Sequence, residues 1–187
     1  MRRFIAIILI FSSFMASAQS GVTKIPPLDQ SPMDMSYYPS NYPILKIQNK
    51  VTEPLVMRVV YSRPQLNGRR LFGGIQDYGE VWRLGANEAT EIEFFKNVKI
   101  NNKIIKKGRY TMYAIPFPDK WTFILNKETD IWGSFQYDSL KDVLRMELPA
   151  KKNDPTEDFS IVFEKSSTGA NMLMFWDDVK VSLPIVF

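Results

Sequence analysis

From residue 55 onward the chain changes polarity at nearly every second residue, and that period decides what it can fold into. In TEIEFF (90–95), Glu91 and Glu93 alternate with Ile92 and Phe94. Successive side chains of a strand point to opposite faces, so the pattern reads as a half-buried strand. LVMRVVY (55–61) is compact and β-branched. VKI and KII (98–105) flank Asn101-Asn102, a pair suited to a two-residue hairpin that needs positive φ. GRYTMYAIP and WTFILN lie on either side of a Pro-Asp turn in FPDK. VLRMELP (143–149) and EDFSIVFEK (157–165) alternate again, and MLMFW with VKVSLPI reads as a last hairpin turning at Asp177-Asp178. MLMFW is apolar on both sides, with Met172, Met174 and Trp176 against Leu173 and Phe175, which places it between two layers or under a covering arm. No segment of helical length is amphipathic; short helical turns are expected near 76–82 and 138–142. Eight or nine strands, with turn signals about every ten residues, make an antiparallel β-sandwich of jelly-roll type the expected all-β fold, with a closed β-barrel as the alternative.

The N-terminus obeys different rules. MRRFIAIILIFSSFMASAQS has a positive start at Arg2 and Arg3, an apolar run from Phe4 to Met15, and small residues Ala16-Ser17-Ala18 before Gln19. That is the layout of a cleavable signal peptide, 1–18. Its apolar run is far shorter than the ~20 residues that span a bilayer, so no transmembrane segment is expected after cleavage. The expected location is outside the cytoplasm, periplasmic or secreted. Residues 19–45 are Pro-, Ser- and Met-rich and read as an arm or linker, with YYPSNYP carrying aromatics able to dock on the core. Residues 46–187 then form a single domain, large enough for a real core. Losing the leader lowers the formal charge from +4 to +2, because two arginines and no acid depart. The densest cationic run, IIKKGR (104–109), sits where a hairpin strand begins and suits a solvated sheet edge, so no nucleic-acid partner is expected.

The chain has no Cys and no His. Thiol nucleophiles, Ser-His-Asp triads, His bases and His- or thiolate-ligated metals are therefore excluded. Any chemistry would run on carboxylates, Lys, Tyr or Arg. The loops over 63–88 concentrate such groups: Arg63, Arg69, Arg83, Asn87 and Glu88, beside the aromatic Trp82. Planar guanidinium forks suit a carboxylate, phosphate or sulfate, and Asn87 with Glu88 suits a polar ligand such as a sugar. Trp82 and Tyr78 are expected in the core, with Trp82 anchoring the loop. Arg83 then has two available partners, Glu88 in a loop brace or the anion of a ligand. A glycan hydrolase would need two facing carboxylates, for which Glu88 with Glu80, Asp77 or Asp138 are the candidates. NKETDIWG (126–133) loosely resembles a calcium loop, but its sixth and twelfth positions are Ile131 and Tyr137 in place of Gly and Glu. No metal or cofactor is expected.

The stretch YSRPQLNGRRLFGGIQDYGEVWRLGANEATEIEF, continuing through KGRYTMYAIPFPDKWTFILNKETDIWGSFQYDSLKDVLRMEL, resembles the bacterial family called domain of unknown function 2911. The resemblance covers roughly residues 50–185 and implies no activity. The leading expectation is thus a non-catalytic exported β-sandwich that binds a small polar or anionic ligand, a glycan or a partner at the 63–88 loops. A carboxylate-based glycan hydrolase and a purely structural envelope module are the alternatives. Export makes a direct prediction: N-terminal sequencing of envelope or medium fractions finds Gln19 first, and an intact Met1 on membrane-bound protein would contradict it.

Overall fold

A computed structural model describes residues 25–187; the expected leader (1–18) and the start of the arm lie outside them. In chain order the elements are β1 (Met33–Tyr38), α1 (Tyr42–Ile47), β2 (Met57–Ser62), β3 (Glu91–Phe94), β4 (Val98–Ile100), β5 (Lys103–Ile105), β6 (Gly108–Pro116) and β7 (Lys120–Asn126). A 3-10 turn (Ser139–Lys141), β8 (Asp142–Ser166) and β9 (Gly169–Val186) complete them. The period-two pattern is realised directly: Ile92 and Phe94 are buried, while Glu91 and Glu93 face outward. Asn101 and Asn102 take φ of 47° and 62°, the left-handed pair that a tight β4–β5 hairpin requires.

All strand pairs are antiparallel, in the order β1-β2-β3-β6-β7-β8-β9-β4-β5. The end strands β1 and β5 do not pair with each other, so the sheet is open and the barrel alternative fails. The sheet becomes a sandwich because β8 is long and bent. Its first part pairs with β7 (Leu125↔Leu144), its second with β9 (Ile161↔Met174), and register shifts fall between Lys152, Thr156 and Ser160. Bulges bend a strand and raise its twist, which lets one strand serve two layers. The core lies between those layers and includes Met57, Val59, Phe123, Met172, Met174 and Leu183, all at most 1% exposed.

Three local expectations are corrected. Residues 33–38 of the Pro-rich stretch form β1, paired along its whole length with β2, and Tyr38 is buried. Prolines mark only the flanks, Pro32 and Pro39, where a missing N–H costs the ladder nothing. Asp177-Asp178 is not a hairpin turn: β9 runs through it, and Asp177 (φ 53°) pairs with Thr156 at the bulge. Pairing of β9 with β8 continues on both sides of it, Phe175 with Ser160 and Val179 with Lys152, so the chain does not reverse there. The helical turn near 138–142 is the 3-10 turn, but 76–82 is non-helical; the one α-helix among the described residues, six residues long, is at 42–47.

Just beyond β2 the backbone pairs with β8, Phe159 N–H to the Pro64 carbonyl and Leu66 N–H to the Glu157 carbonyl, and a side chain of β2 extends that join. The buried Tyr61 hydroxyl accepts from the Ile161 N–H at 3.2 Å and donates to the Ile161 carbonyl at 3.4 Å. The Tyr61 ring meets Phe159 edge-on at 5.9 Å. Burial also raises the phenol's pKa, which keeps the donating proton in place. Tyr61→Phe keeps the ring and orphans the Ile161 backbone. Urea denaturation should register a loss of about 1–3 kcal/mol; an unchanged midpoint would mean that water replaces the hydroxyl at no cost.

Candidate functional site

The site is built on Trp82. Its backbone exchanges hydrogen bonds with Ala114 of β6 at 2.7 and 2.9 Å, so residues 81–83 lie beside β6 as an extra rung. The indole is 2% exposed, as expected. It stacks on Trp176 of the opposite layer at 5.6 Å and meets Trp121 and Phe159 edge-on at 5.4 and 5.2 Å. Its Nε1–H donates to the Gly85 carbonyl at 3.2 Å, tying the following turn to the core. Tyr78, by contrast, is 45% exposed and stacks on Phe72 at the surface, because its loop reaches the core through Leu71 and Trp82 instead.

The turn after Trp82 is held in an unusual conformation. Leu84 (φ 53°) and Asn87 (φ 59°) are left-handed, and a leucine there carries steric strain of the order of 1–2 kcal/mol. Gly85 sits where a Cβ would come within 2.8 Å of the Ser62 hydroxyl and 3.3 Å of the Thr90 hydroxyl, so no side chain fits. Hydrogen bonds over-determine the shape. The Ser62 hydroxyl donates to the Ala86 carbonyl and accepts from the Ala86 N–H, both at 2.6 Å. The Thr90 N–H donates to the Arg83 carbonyl at 3.0 Å, and its hydroxyl donates to the Leu84 carbonyl. Strained backbone persists only when its surroundings fix it in this way.

The arginines do not converge. Arg63 donates to Asp34 at 3.2 Å, Ser160 at 3.0 Å and the Phe159 carbonyl at 3.3 Å, with Asp158 at 3.9 Å. It bridges β1 to β8 and is structural. Arg69 donates to the Leu66 and Gln65 carbonyls at 2.9 and 2.7 Å, closing its own loop. Asn87 donates to Asp29 at 2.8 Å, pinning the N-terminal arm. Glu88 is exposed and forms a backbone bridge with Trp132. No ion pair joins it to Arg83 among the described residues, so the loop brace between them is not formed. The physical reason is the bridge: antiparallel pairing of Ala89 with Ile131 turns Ala89 inward and Glu88 outward.

Among the described residues Arg83 is left without a side-chain partner. It is half-buried, its Nε is sealed from solvent with no hydrogen bond, and burial alone lowers its pKa, with no carboxylate opposing that shift. The contrast with Arg58 is informative. Its Nε is also an orphan, but Glu93 answers its guanidinium at 2.5 Å. A partly desolvated cation normally recruits a counter-ion, and the described residues supply Arg83 with none.

A family described as "Protein of unknown function (DUF2911)" matches residues 43–185. The chain belongs to this family. Neither the curated proteins nor the solved structures yield a match.

In this family member the layer outside β6 and β7 also holds groups that the sequence did not single out. Tyr113, Ile124 and Ala89 form a small second core with Val81, Ile115, Ile131 and Tyr137 around it. The Tyr137 hydroxyl donates to Asp142 at 2.6 Å and accepts from Arg145 at 2.8 Å, while Asn126 donates to the same carboxylate at 2.8 Å. The side-chain oxygens of the calcium-like stretch are also engaged: that of Asn126 accepts from the Glu128 N–H at 2.9 Å, Glu128 pairs with Lys141 at 2.7 Å, and Asp130 pairs with Arg109. Asp138 caps the 3-10 turn at 2.9 Å. A hollow of about 170 Å³ is lined by Glu88, Glu91 and Asp130, but Arg109 holds the latter two. That is below the ~300 Å³ usual for a small-molecule pocket. The legible signal for this layer was an aromatic trio in polar sequence, Trp132, Phe135 and Tyr137.

Burial, with Glu128, Asp142 and Glu91 nearby, pushes the Tyr113 phenol up to about 12 from 10. The fold thus favours the neutral phenol. That stabilisation is complete below pH about 10 and is lost as pH rises toward 12. Denaturation midpoints across pH about 9 to 12 should fall less steeply for Tyr113→Phe than for the wild type. Parallel curves would contradict the assignment.

Proposed function

We propose that the mature chain is exported and binds a small anionic or polar ligand at the Arg83 turn, without covalent chemistry. The observation carrying this reading is the unpaired, half-buried guanidinium on an over-determined turn. Holding a cation desolvated and unpaired is unfavourable for folding, and that is the condition in which an incoming anion gains most from it. A guanidinium offers a planar fork that matches a carboxylate or phosphate. Binding residues also concentrate on loops fixed to a rigid scaffold, and the Trp82 anchor makes this loop rigid. Export is supported by the leader pattern of residues 1–18. Carboxylate-based hydrolysis has weaker support, because the acidic neighbours of Glu88 are engaged by Arg109.

Thermal-shift titrations with acetate, citrate, sulfate and phosphate test the reading. A bound anion at about a hundred times its Kd stabilises by about 2.7 kcal/mol, which is several degrees for a domain of this size. The wild type should shift with at least one of them, and Arg83→Ala should abolish that shift. A shift that persists in Arg83→Ala, or none with any anion, would overturn the proposal.

A further inference from the structure

Residues 131–133 run beside 87–89 as a short antiparallel ladder. The Ala89 N–H donates to the Ile131 carbonyl, and the Gly133 N–H to the Asn87 carbonyl, each at 2.8 Å. These bonds flank the bridge between Glu88 and Trp132, which makes the two a non-hydrogen-bonded pair. Residues paired in that way stand about 4.5 Å apart at Cα and project their side chains to the same face. The Glu88 carboxylate and the Trp132 indole are therefore neighbours. Both are exposed, Trp132 at 60%, and Glu88 makes no ion pair among the described residues. Phe135, three residues on, is 86% exposed.

Glu88 also lines the hollow of about 170 Å³ described above. The apolar part of that lining is Met33, Val60, Ala89 and Ile131, and the charged part is Glu88, Glu91 and Asp130. Arg109 serves both Glu91 and Asp130, so three carboxylates share one cation and the surface is negative. That charge repels an anionic bilayer or an acidic ligand. The hollow is too small for a typical whole ligand, but one long side chain needs less room. Lysine and arginine suit it by their construction: an apolar stem for the apolar lining and a charged head for Glu88. A cation held there also lies beside an indole, whose face attracts cations within about 6 Å. A free amine confined to the hollow would leave Trp132 in water. A basic side chain attached to a polypeptide brings further residues to cover it, and tryptophan is among the side chains that anchor protein interfaces.

We infer that this surface docks a basic segment of a partner protein, with one lysine or arginine side chain seated in the hollow against Glu88 and Trp132. It is a second surface, opposite in charge preference to the Arg83 turn, and does not rest on the anion-binding reading. Glu88→Gln keeps the side-chain size, and both Glu88 and Trp132 are exposed, so variants at either position should unfold at the wild-type temperature.

Trp132 supplies its own reporter. Of the four tryptophans, Trp82, Trp121 and Trp176 are at most 2% exposed, so acrylamide quenching of the folded chain reads Trp132. The test titrates the full mature chain with hexalysine, by calorimetry and by quenching, with hexaglutamate and a neutral cello-oligosaccharide as controls. Hexalysine should bind and shield Trp132 from acrylamide, and hexaglutamate should do neither. Glu88→Gln should weaken hexalysine by about fivefold or more, and Trp132→Ala by roughly two- to fivefold. Glu164→Gln makes the same charge change at an exposed position of β8 and should bind as the wild type does. Absence of hexalysine binding would overturn the inference. So would equal weakening by Glu88→Gln and Glu164→Gln, which would mean that only net charge is read. Trp132-dependent binding of the cello-oligosaccharide without hexalysine binding would assign the surface to a glycan and overturn it too. The anion titrations of Arg83 use none of these ligands, so the two readings fail separately.

Discussion

The burial of Trp82 is the contact on which the rest of the site depends. Its ring stands between Trp176, Phe159 and Trp121, so one side chain from the β6 side of the first layer fills the seam with the second. Emptying such a position removes about 3–5 kcal/mol, a large part of what a domain this size has. Because residues 81–83 are extended along β6, burying Trp82 determines where its neighbours go. Val81 packs on the outer small core with Tyr113, and alternation sends Arg83 to that same outer layer. The position of the guanidinium is thus a consequence of core packing, and no contact of its own is needed to hold it there.

Electrostatics separates Arg83 from Arg58, Arg63, Arg69, Arg109 and Arg145. Arg63 holds Asp34 and the Phe159 carbonyl, and Arg69 holds the Leu66 and Gln65 carbonyls of its own loop, so both serve the fold. Arg58, Arg109 and Arg145 have carboxylates. Arg83 alone among these is desolvated without compensation. The turn meets that cost through bonds made by its neighbours, above all Ser62 and Thr90, which together also hold the strained Leu84. A fold that keeps such a charge needs a reason outside its own stability.

Much of the architecture could be read in the sequence because half-buried antiparallel strands leave a period-two mark, as in TEIEFF and WTFILN. The errors came where that mark is interrupted. MDMSYY was masked by prolines on both sides, and its alternation of Met33, Met35 and Tyr37 with Asp34 and Ser36 is too short to stand out. β8 and β9 read as four strands because their bulges at Lys152–Ser160 and Asp177 carry the polar residues that usually mark turns. At the site, Trp82 and Arg83 were visible as an aromatic next to a cation. The partner of Arg83 was not, since pairing depends on which way Glu88 faces, and the bridge to Trp132 sets that from 44 positions away in the chain. The same long-range bridge made Trp132 and Phe135 look like ordinary loop residues. Tyr137, Asp142 and Arg145 are close in sequence, yet only the bend at the 3-10 turn brings their polar ends together.

The central claim is that Arg83 is held in place by the fold without helping to hold it. Urea denaturation of wild type and Arg83→Met, with no ligand added, tests it most directly, because methionine keeps an apolar stem of similar reach and removes the charge. The midpoint should stay within about 0.5 kcal/mol of the wild type or rise. A loss of about 3 kcal/mol or more would mean that the guanidinium answers a buried partner after all, and that the turn is a brace.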